Sequence, residues 1–249
     1  MIHSFLLIGQ SNMAGRGVVT DVEPISRPDL LVLRNGRWHK MYQPVNPDRA
    51  SSGVCLAESF AAAYADSHGV QVGLIPCADG GTSLDQWVPG GLLFDHAVMM
   101  SRLAQRTSTI AGVLWHQGEA DCADDRWPLY AAKCTRIFDA LRRELDLYDV
   151  PFLLGGLGDY LPLYGSESLK NYAHVNDQLQ SMADTLPMTG FVSAEGLSPK
   201  PDNLHFNAEA LREFGLRYYK KFLELEKNDK IFEEKPLQDA AIRTEMELL

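Results

Sequence analysis

A serine, an acid–histidine pair and several amide donors are spaced along this sequence in a pattern suited to acyl transfer. Ser11 stands in Ser4-Phe5-Leu6-Leu7-Ile8-Gly9-Gln10-Ser11-Asn12-Met13-Ala14-Gly15, where a short apolar run ends in a glycine and a polar cluster. Such a run predicts a buried strand that delivers one hydroxyl to a sheet edge at a sharp turn. A serine after a strand also serves as a turn or cap residue, so its use as a nucleophile requires partners. A hydroxyl is a poor nucleophile at neutral pH. It needs a base to take its proton and a carboxylate to orient that base and stabilise the imidazolium. Asp202-Asn203-Leu204-His205 offers both on a turn short enough for the carboxylate to reach its own histidine. Without that chemistry, Asp202 is a turn residue, Asn207 a helix cap and His205 a surface side chain.

Attack on an ester carbonyl develops negative charge on oxygen, which preorganised donors must meet. Gly80-Gly81 presents backbone N–H groups that no Cβ shields, Gln117 carries an amide with two N–H donors, and Ser11 adds its own N–H. Each also has a plain structural reading: Gly-Gly is a common turn, and a glutamine amide can satisfy nearby backbone.

The elements that must position these residues follow from periodicity. After the first strand, Val54 to Ser67 has helical spacing and Gly69 supplies a stop. Strand-like Gln71–Ala78, Ile110–His116, Val150–Leu157 and Thr189–Ala194 then alternate with helix-like Leu93–Thr107, Trp127–Leu145, Leu169–Leu186 and Ala208–Leu225. Five strands interleaved with helices predict right-handed crossovers and a five-stranded parallel sheet covered on both faces, a three-layer α/β/α sandwich. Leu30–Arg34, Asn35-Gly36 and Arg37–Met41 read as a β-hairpin, since Asn-Gly tolerates the positive φ of a two-residue turn. This hairpin, about residues 28–42, is expected to be a surface decoration, and residues 227–249 a charged terminal helix or tail. In a parallel sheet ligands bind beyond the carboxyl ends of the strands. The Ser11 turn, Gly80-Gly81, Gln117 and Asp202/His205 all follow strands on that edge.

At 249 residues the chain fits one domain of residues 1–249, with 45% hydrophobic and 22% charged residues. The net charge of -10, with lysine and arginine dispersed, excludes nucleic acid and anionic membranes as natural partners. No apolar run approaches the roughly 20 residues that span a bilayer. The N-terminus has no signal-peptide pattern, so the chain reads as cytoplasmic, or as secreted or periplasmic if a signal was removed. Cys55, Cys77, Cys122 and Cys134 lack paired spacing, so neither a zinc site nor a disulfide framework is expected.

Gly-Gln-Ser-Asn-Met-Ala-Gly, Gly-Gly-Thr-Ser-Leu-Asp-Gln-Trp, Trp-His-Gln-Gly-Glu-Ala-Asp and Asp-Asn-Leu-His-Phe closely resemble the motifs of the SGNH hydrolase superfamily. Within it the chain is most similar to the branch of sialate O-acetylesterases and carbohydrate esterase family 6 acetylxylan esterases. The resemblance runs from Ser4 to about Leu225. It implies a flavodoxin-like sandwich and cofactor-free, metal-free hydrolysis of acetyl esters on sugars, either small molecules or oligosaccharides. It also implies Ser11 as nucleophile, Asp202 as acid, His205 as base, and the Ser11 amide, Gly80 or Gly81, and Gln117 as oxyanion donors.

Asn12 and Glu119 are expected to support the site. Glu119 either orients the oxyanion loop, competes as partner of His205, or forms an ion pair with Arg16. Trp87, His116, Asp159 and Tyr160 leave the same sheet edge and are candidate sugar contacts, with packing the equal alternative. A thioesterase or lipase-like hydrolase, a noncatalytic carbohydrate-binding protein and a flavin-binding flavodoxin-like protein are the rival readings. The sugar, the acetylated position and the oligomeric state are not specified by these residues.

Overall fold

The structure is a computed structural model that describes residues 1–228. Its centre is β1 (Ile2–Gly9), all eight residues of which are buried, with Phe5 to Ile8 fully inaccessible. A continuous apolar run of this kind suits a parallel strand covered on both faces. Strands β2 (Leu30–Arg34), β3 (Arg37–Lys40), β4 (Gln71–Pro76), β5 (Thr109–His116), β6 (Phe152–Gly155) and β7 (Thr189–Val192) join it in one seven-stranded sheet of order β3-β2-β4-β1-β5-β6-β7. Every neighbouring pair is parallel except β2 and β3.

The five strands expected from alternation are β1, β4, β5, β6 and β7. The hairpin is not a surface decoration. Leu30, Leu31 and Val32 pair in parallel with Val72, Gly73 and Leu74, so β2 and β3 extend the sheet. Leu30, Val32, Leu33 and Trp38 are buried, and Trp38 Nε1 donates to Thr107 Oγ1 at 3.0 Å. Asn35 (φ 49°) and Gly36 (φ 73°) do form the predicted turn. That local signal identifies the two strands as partners but carries no information about what the outer edge of β2 meets.

Helices α2 (Leu56–His68) and α6 (Ala208–Asn228) cover one face, while α3 (Leu92–Gln105), α4 (Tyr130–Leu145) and α5 (Tyr172–Thr185) cover the other. On the first face Phe5 meets Phe60, Tyr64 and Phe222 edge-on at 4.8 to 6.0 Å between ring centroids. On the second, Trp115 meets Trp87 and Phe138. Of the predicted tail, residues 227 and 228 continue α6, and 229–249 lie outside the described residues. No helix among the described residues is long and apolar enough to cross a membrane.

From β1 the chain first builds outward to β2, β3 and β4, then crosses through α3 to β5 and continues through β6 to β7. The strand order therefore reverses beside the carboxyl end of β1. In an open α/β sheet that reversal leaves a crevice between the diverging loops. Ser11 lies two residues beyond it.

Candidate active site

The turn that presents Ser11 is built from Gly9 and Gln10. Gly9 has φ +132°, and a Cβ there would lie 2.1 Å from the carbonyl oxygen of His116. Only glycine fits so close to the end of β5. Gln10 N–H then donates to that same carbonyl at 2.9 Å, pinning the turn across the sheet. Ser11 opens a one-turn helix, α1 (Ser11–Ala14), in which Met13 and Ala14 N–H both donate to Gln10 O at 3.0 Å.

The Asp202 turn closes on itself. Lys200 N–H donates to His205 O at 2.7 Å, and Asn203 takes φ 53° at the bend. Asp202 Oδ1 accepts the backbone N–H groups of Leu204 and His205, each at 2.9 Å. Asp202 Oδ2 lies 2.9 Å from His205 Nδ1, and His205 Nε2 lies 3.0 Å from Ser11 Oγ. Burial pushes the Asp202 carboxyl up, but the hydrogen bonds from the His205 ring and the two N–H groups outweigh it and hold the group below its ordinary range. A carboxylate facing Nδ1 accepts a hydrogen bond from a protonated Nδ1, which leaves Nε2 with its lone pair toward the serine hydroxyl.

Asn12 clamps this loop from the serine side. Its Nδ2 donates to Leu204 O at 3.3 Å and its Oδ1 accepts Phe206 N–H at 3.1 Å, so it grips the residues on either side of His205. The same Nδ2 donates to Glu119 Oε1 at 2.6 Å. Glu119 thus reaches the histidine only through Asn12, and Arg16 pairs with another carboxylate. His116 Nε2 lies 3.6 Å from Glu119 Oε1. Burial raises the Glu119 carboxyl, and His116, backbone N–H and Asn12 together overcome this to leave it below its ordinary range.

The second loop is fixed by two residues whose pairing the sequence did not reveal, Arg16 and Asp48. They form a two-point ion pair, Nη1 to Oδ1 at 3.0 Å and Nη2 to Oδ2 at 2.7 Å, with both side chains 5% exposed. Asp48 also accepts the Gly80 N–H at 2.8 Å and the Ser52 hydroxyl at 2.8 Å. Gly80 N–H is therefore already engaged. Gly81 has φ +78° with open space where a Cβ would stand, and among the described residues its N–H has no acceptor. No pattern in the Pro-rich stretch 44–53 marks Asp48, because its partners Arg16 and Gly80 come from two other loops.

Asp48→Ala is expected to destabilise the fold by about 3–5 kcal/mol in urea unfolding at neutral pH, since it strands a buried guanidinium and a backbone N–H. Burial raises the Asp48 carboxyl, and the Arg16, Ser52 and Gly80 contacts more than reverse that, so its folded value is lowered. The stabilisation is present above the carboxyl's unfolded value and is lost as pH falls through the folded one. Wild type and variant should converge in stability toward acid pH; a pH-independent difference would contradict the charge pairing.

Ser11, His205, Glu119, Gly80 and Gly81 line one cleft of about 440 Å³, together with Gln10, Arg16, Arg49, Ser51, Ala120, Ser168, Leu169 and Leu204. Gln117 does not line it. Its side chain is fully buried, with Nε2 donating to Thr82 O at 3.1 Å and to Asp121 Oδ2 at 2.5 Å. Trp87, 1% exposed, turns inward, donates to Thr82 Oγ1 and packs on Trp115. His116 is sealed between Phe206 and Phe214, and Tyr160 packs against Phe206. Asp159 accepts Gly196 N–H at 3.3 Å and is absent from the cleft lining. Trp87, His116 and Tyr160 are thus held in the interior, whereas Asp159 is exposed and does not line this cleft. Among the described residues no three His, Cys, Asp or Glu side chains are grouped to hold a metal ion.

Residues 1–224 match the protein family described as carbohydrate esterase, sialic acid-specific acetylesterase. The chain belongs to this family. A probable carbohydrate esterase of Arabidopsis thaliana is 29% identical over 247 residues, covering 88% of this chain and 89% of the plant protein. The crystal structure of that Arabidopsis protein superposes with a TM-score of 0.81 at 28% identity, over 89% of this chain and 98% of the other. NanS shares the fold at TM-score 0.72 and 17% identity, over 92% of this chain and 98% of its own. A carbohydrate acetylesterase of Xanthomonas citri, XAC1771, does so at TM-score 0.67 and 19% identity, over 92% of this chain and 57% of its own. The carbohydrate-esterase family and the α/β/α fold are thus those implied by the four sequence motifs, with two strands added at one edge of the sheet.

Proposed function

We propose that this carbohydrate esterase is a serine-dependent O-acetylesterase that removes acetyl groups from sugar hydroxyls, of xylan or sialic-acid type, through an acyl-enzyme. The observation that carries the reading is the unbroken chain from Ser11 Oγ to His205 Nε2 at 3.0 Å and from His205 Nδ1 to Asp202 Oδ2 at 2.9 Å, opening on a cleft.

His205 takes the Ser11 proton as Oγ bonds to the acetyl carbon, and the carbonyl electron pair moves onto oxygen. The N–H groups of Ser11 and Gly81, neither with an acceptor among the described residues, receive that charge, while Asp202 stabilises the imidazolium. When the intermediate collapses, the bond to the sugar oxygen breaks and His205 protonates the departing alkoxide. Water then repeats the sequence on the acetyl-serine, with His205 as base, and acetate leaves.

The cleft lining supports a short acyl group on a polar alcohol. Ala120, Leu169 and Leu204 are its apolar side chains, whereas Arg49, Ser51 and Ser168 offer hydrogen bonds to a polyol. Acetyl esters are accordingly expected to be hydrolysed far faster than octanoyl esters of the same alcohol. Quenching turnover of p-nitrophenyl acetate and mapping the acetyl group by peptide mass spectrometry tests the route, with modification expected at Ser11. Turnover without any acetylated Ser11, or a preference for octanoyl esters, would count against it. Acetate release from acetylated xylan fragments, acetylated monosaccharides and O-acetyl sialic acids would assign the sugar.

A further inference from the structure

Two glutamines end strands at this site, and they differ in what their amides are free to do. Both N–H groups of Gln117 Nε2 are used inside the protein, one on Thr82 O and one on Asp121 Oδ2. Asp121 in turn accepts Leu84 N–H at 2.9 Å, so Gln117 ties the loop after β5 to the loop after β4. An amide nitrogen has two hydrogens and no more. Gln117 has none left for a substrate.

Gln10 precedes Ser11 and lines the same cleft. Its Oε1 faces two backbone donors, Gly118 N–H at 3.3 Å and Ala120 N–H at 3.4 Å. Two N–H groups converging on one end of an amide assign that end as oxygen. The other end, Nε2, has no acceptor among the described residues and is not sealed in the interior. The main chain of Gln10 is held at both ends, by His116 O and by the N–H groups of α1. With the residue 4% exposed, its free N–H pair is both preorganised and largely shielded from water, the condition under which a donor is most effective toward developing charge.

We propose that Gln10, not Gln117, is the side-chain donor to the oxyanion, which makes Gln10 a catalytic residue and Gln117 a positioning residue. The assignment rests on the serine-esterase reading above. It adds a third donor to the N–H groups of Ser11 and Gly81. The donor forms no covalent bond; its hydrogen bond strengthens as the carbonyl oxygen becomes anionic.

Gln10→Glu is the informative variant, because it keeps an oxygen to accept the Gly118 and Ala120 N–H groups while removing the donor. The expected result is a loss of about 10²- to 10³-fold in kcat for p-nitrophenyl acetate, with little change in KM, in a protein that still folds and unfolds cooperatively. The rate ratio of that ester to its thionoester, whose sulfur is a weaker hydrogen-bond acceptor, should fall in the variant; a role confined to holding the loop would leave the ratio alone.

A second measurement uses the unmodified enzyme. With methylboronic acid, Ser11 Oγ bonds to boron as His205 takes its proton, and the resulting anionic tetrahedral boronate presents a boron-bound hydroxyl where the tetrahedral intermediate has its oxyanion; the ¹⁵N-labelled Gln10 side-chain amide is expected to shift while that of Gln117 stays. Wild-type kcat in Gln10→Glu, or a boronate-dependent shift of Gln117 alone, would overturn the assignment. If Ser11→Ala is inactive while Gln10→Glu is unimpaired, only this inference falls. Should Ser11→Ala remain active, the serine-esterase reading falls with it.

Discussion

Ser11→Ala is expected to lower kcat for p-nitrophenyl acetate by roughly 10⁴- to 10⁶-fold while the protein still folds. The hydroxyl bonds to His205 Nε2, and alanine removes only that oxygen from the turn. Alanine suits the first turn of a helix, so α1 and the Gly9 turn should persist. What disappears is the attacking oxygen. The residual rate would reflect water attack assisted by donors already in place, which is why the loss stops short of the uncatalysed rate. Burst kinetics and the fluorescence unfolding midpoint, measured together, separate this outcome from loss of structure. Full hydrolysis in a folded Ser11→Ala protein would falsify the nucleophile assignment.

The second large effect distinguishes two carboxylates. Asp202→Asn is expected to reduce kcat by on the order of 10⁴-fold. The substituted amide can still accept Leu204 and His205 N–H through one oxygen, so the turn survives, but it places an NH₂ donor opposite Nδ1. The ring then presents a lone pair to that NH₂ group and a proton toward Ser11, the wrong tautomer for a base, and the imidazolium loses its counter-charge. Glu119→Gln should cost much less. Glutamine keeps an oxygen for Asn12 Nδ2, and Glu119 meets His205 only through Asn12. Steady-state kinetics on both variants ranks the two. A larger loss in Glu119→Gln than in Asp202→Asn would transfer the acid's role to Glu119.

Short-range patterns carried much of this protein. The apolar run of β1, the spacing of the later strands and helices, and the Asn35-Gly36 turn are local signals, set by backbone preference and by which residues avoid water. Asp202 and His205 are close in sequence, so one turn can join them without help from elsewhere. Their distance from Ser11, 194 residues along the chain for His205, is bridged because both follow parallel strands, whose carboxyl ends share one edge.

What depended on the tertiary structure has a common physical cause: hydrogen bonds and burial between segments remote in sequence. The hairpin joined the sheet because β2 found β4 as a partner for its free edge. Asp48 acquired its role from Arg16 and Gly80, which reach it from separate loops. Trp87, His116 and Tyr160 were drawn into the core by rings on other elements. Gln10 and Gln117 have the same chemistry and equivalent places after strands, yet one amide is consumed by Thr82 and Asp121 and the other left free beside Ser11. Residue type specified that amide donors were available at this edge; only the bonds made across the fold decided which of them the cleft retains.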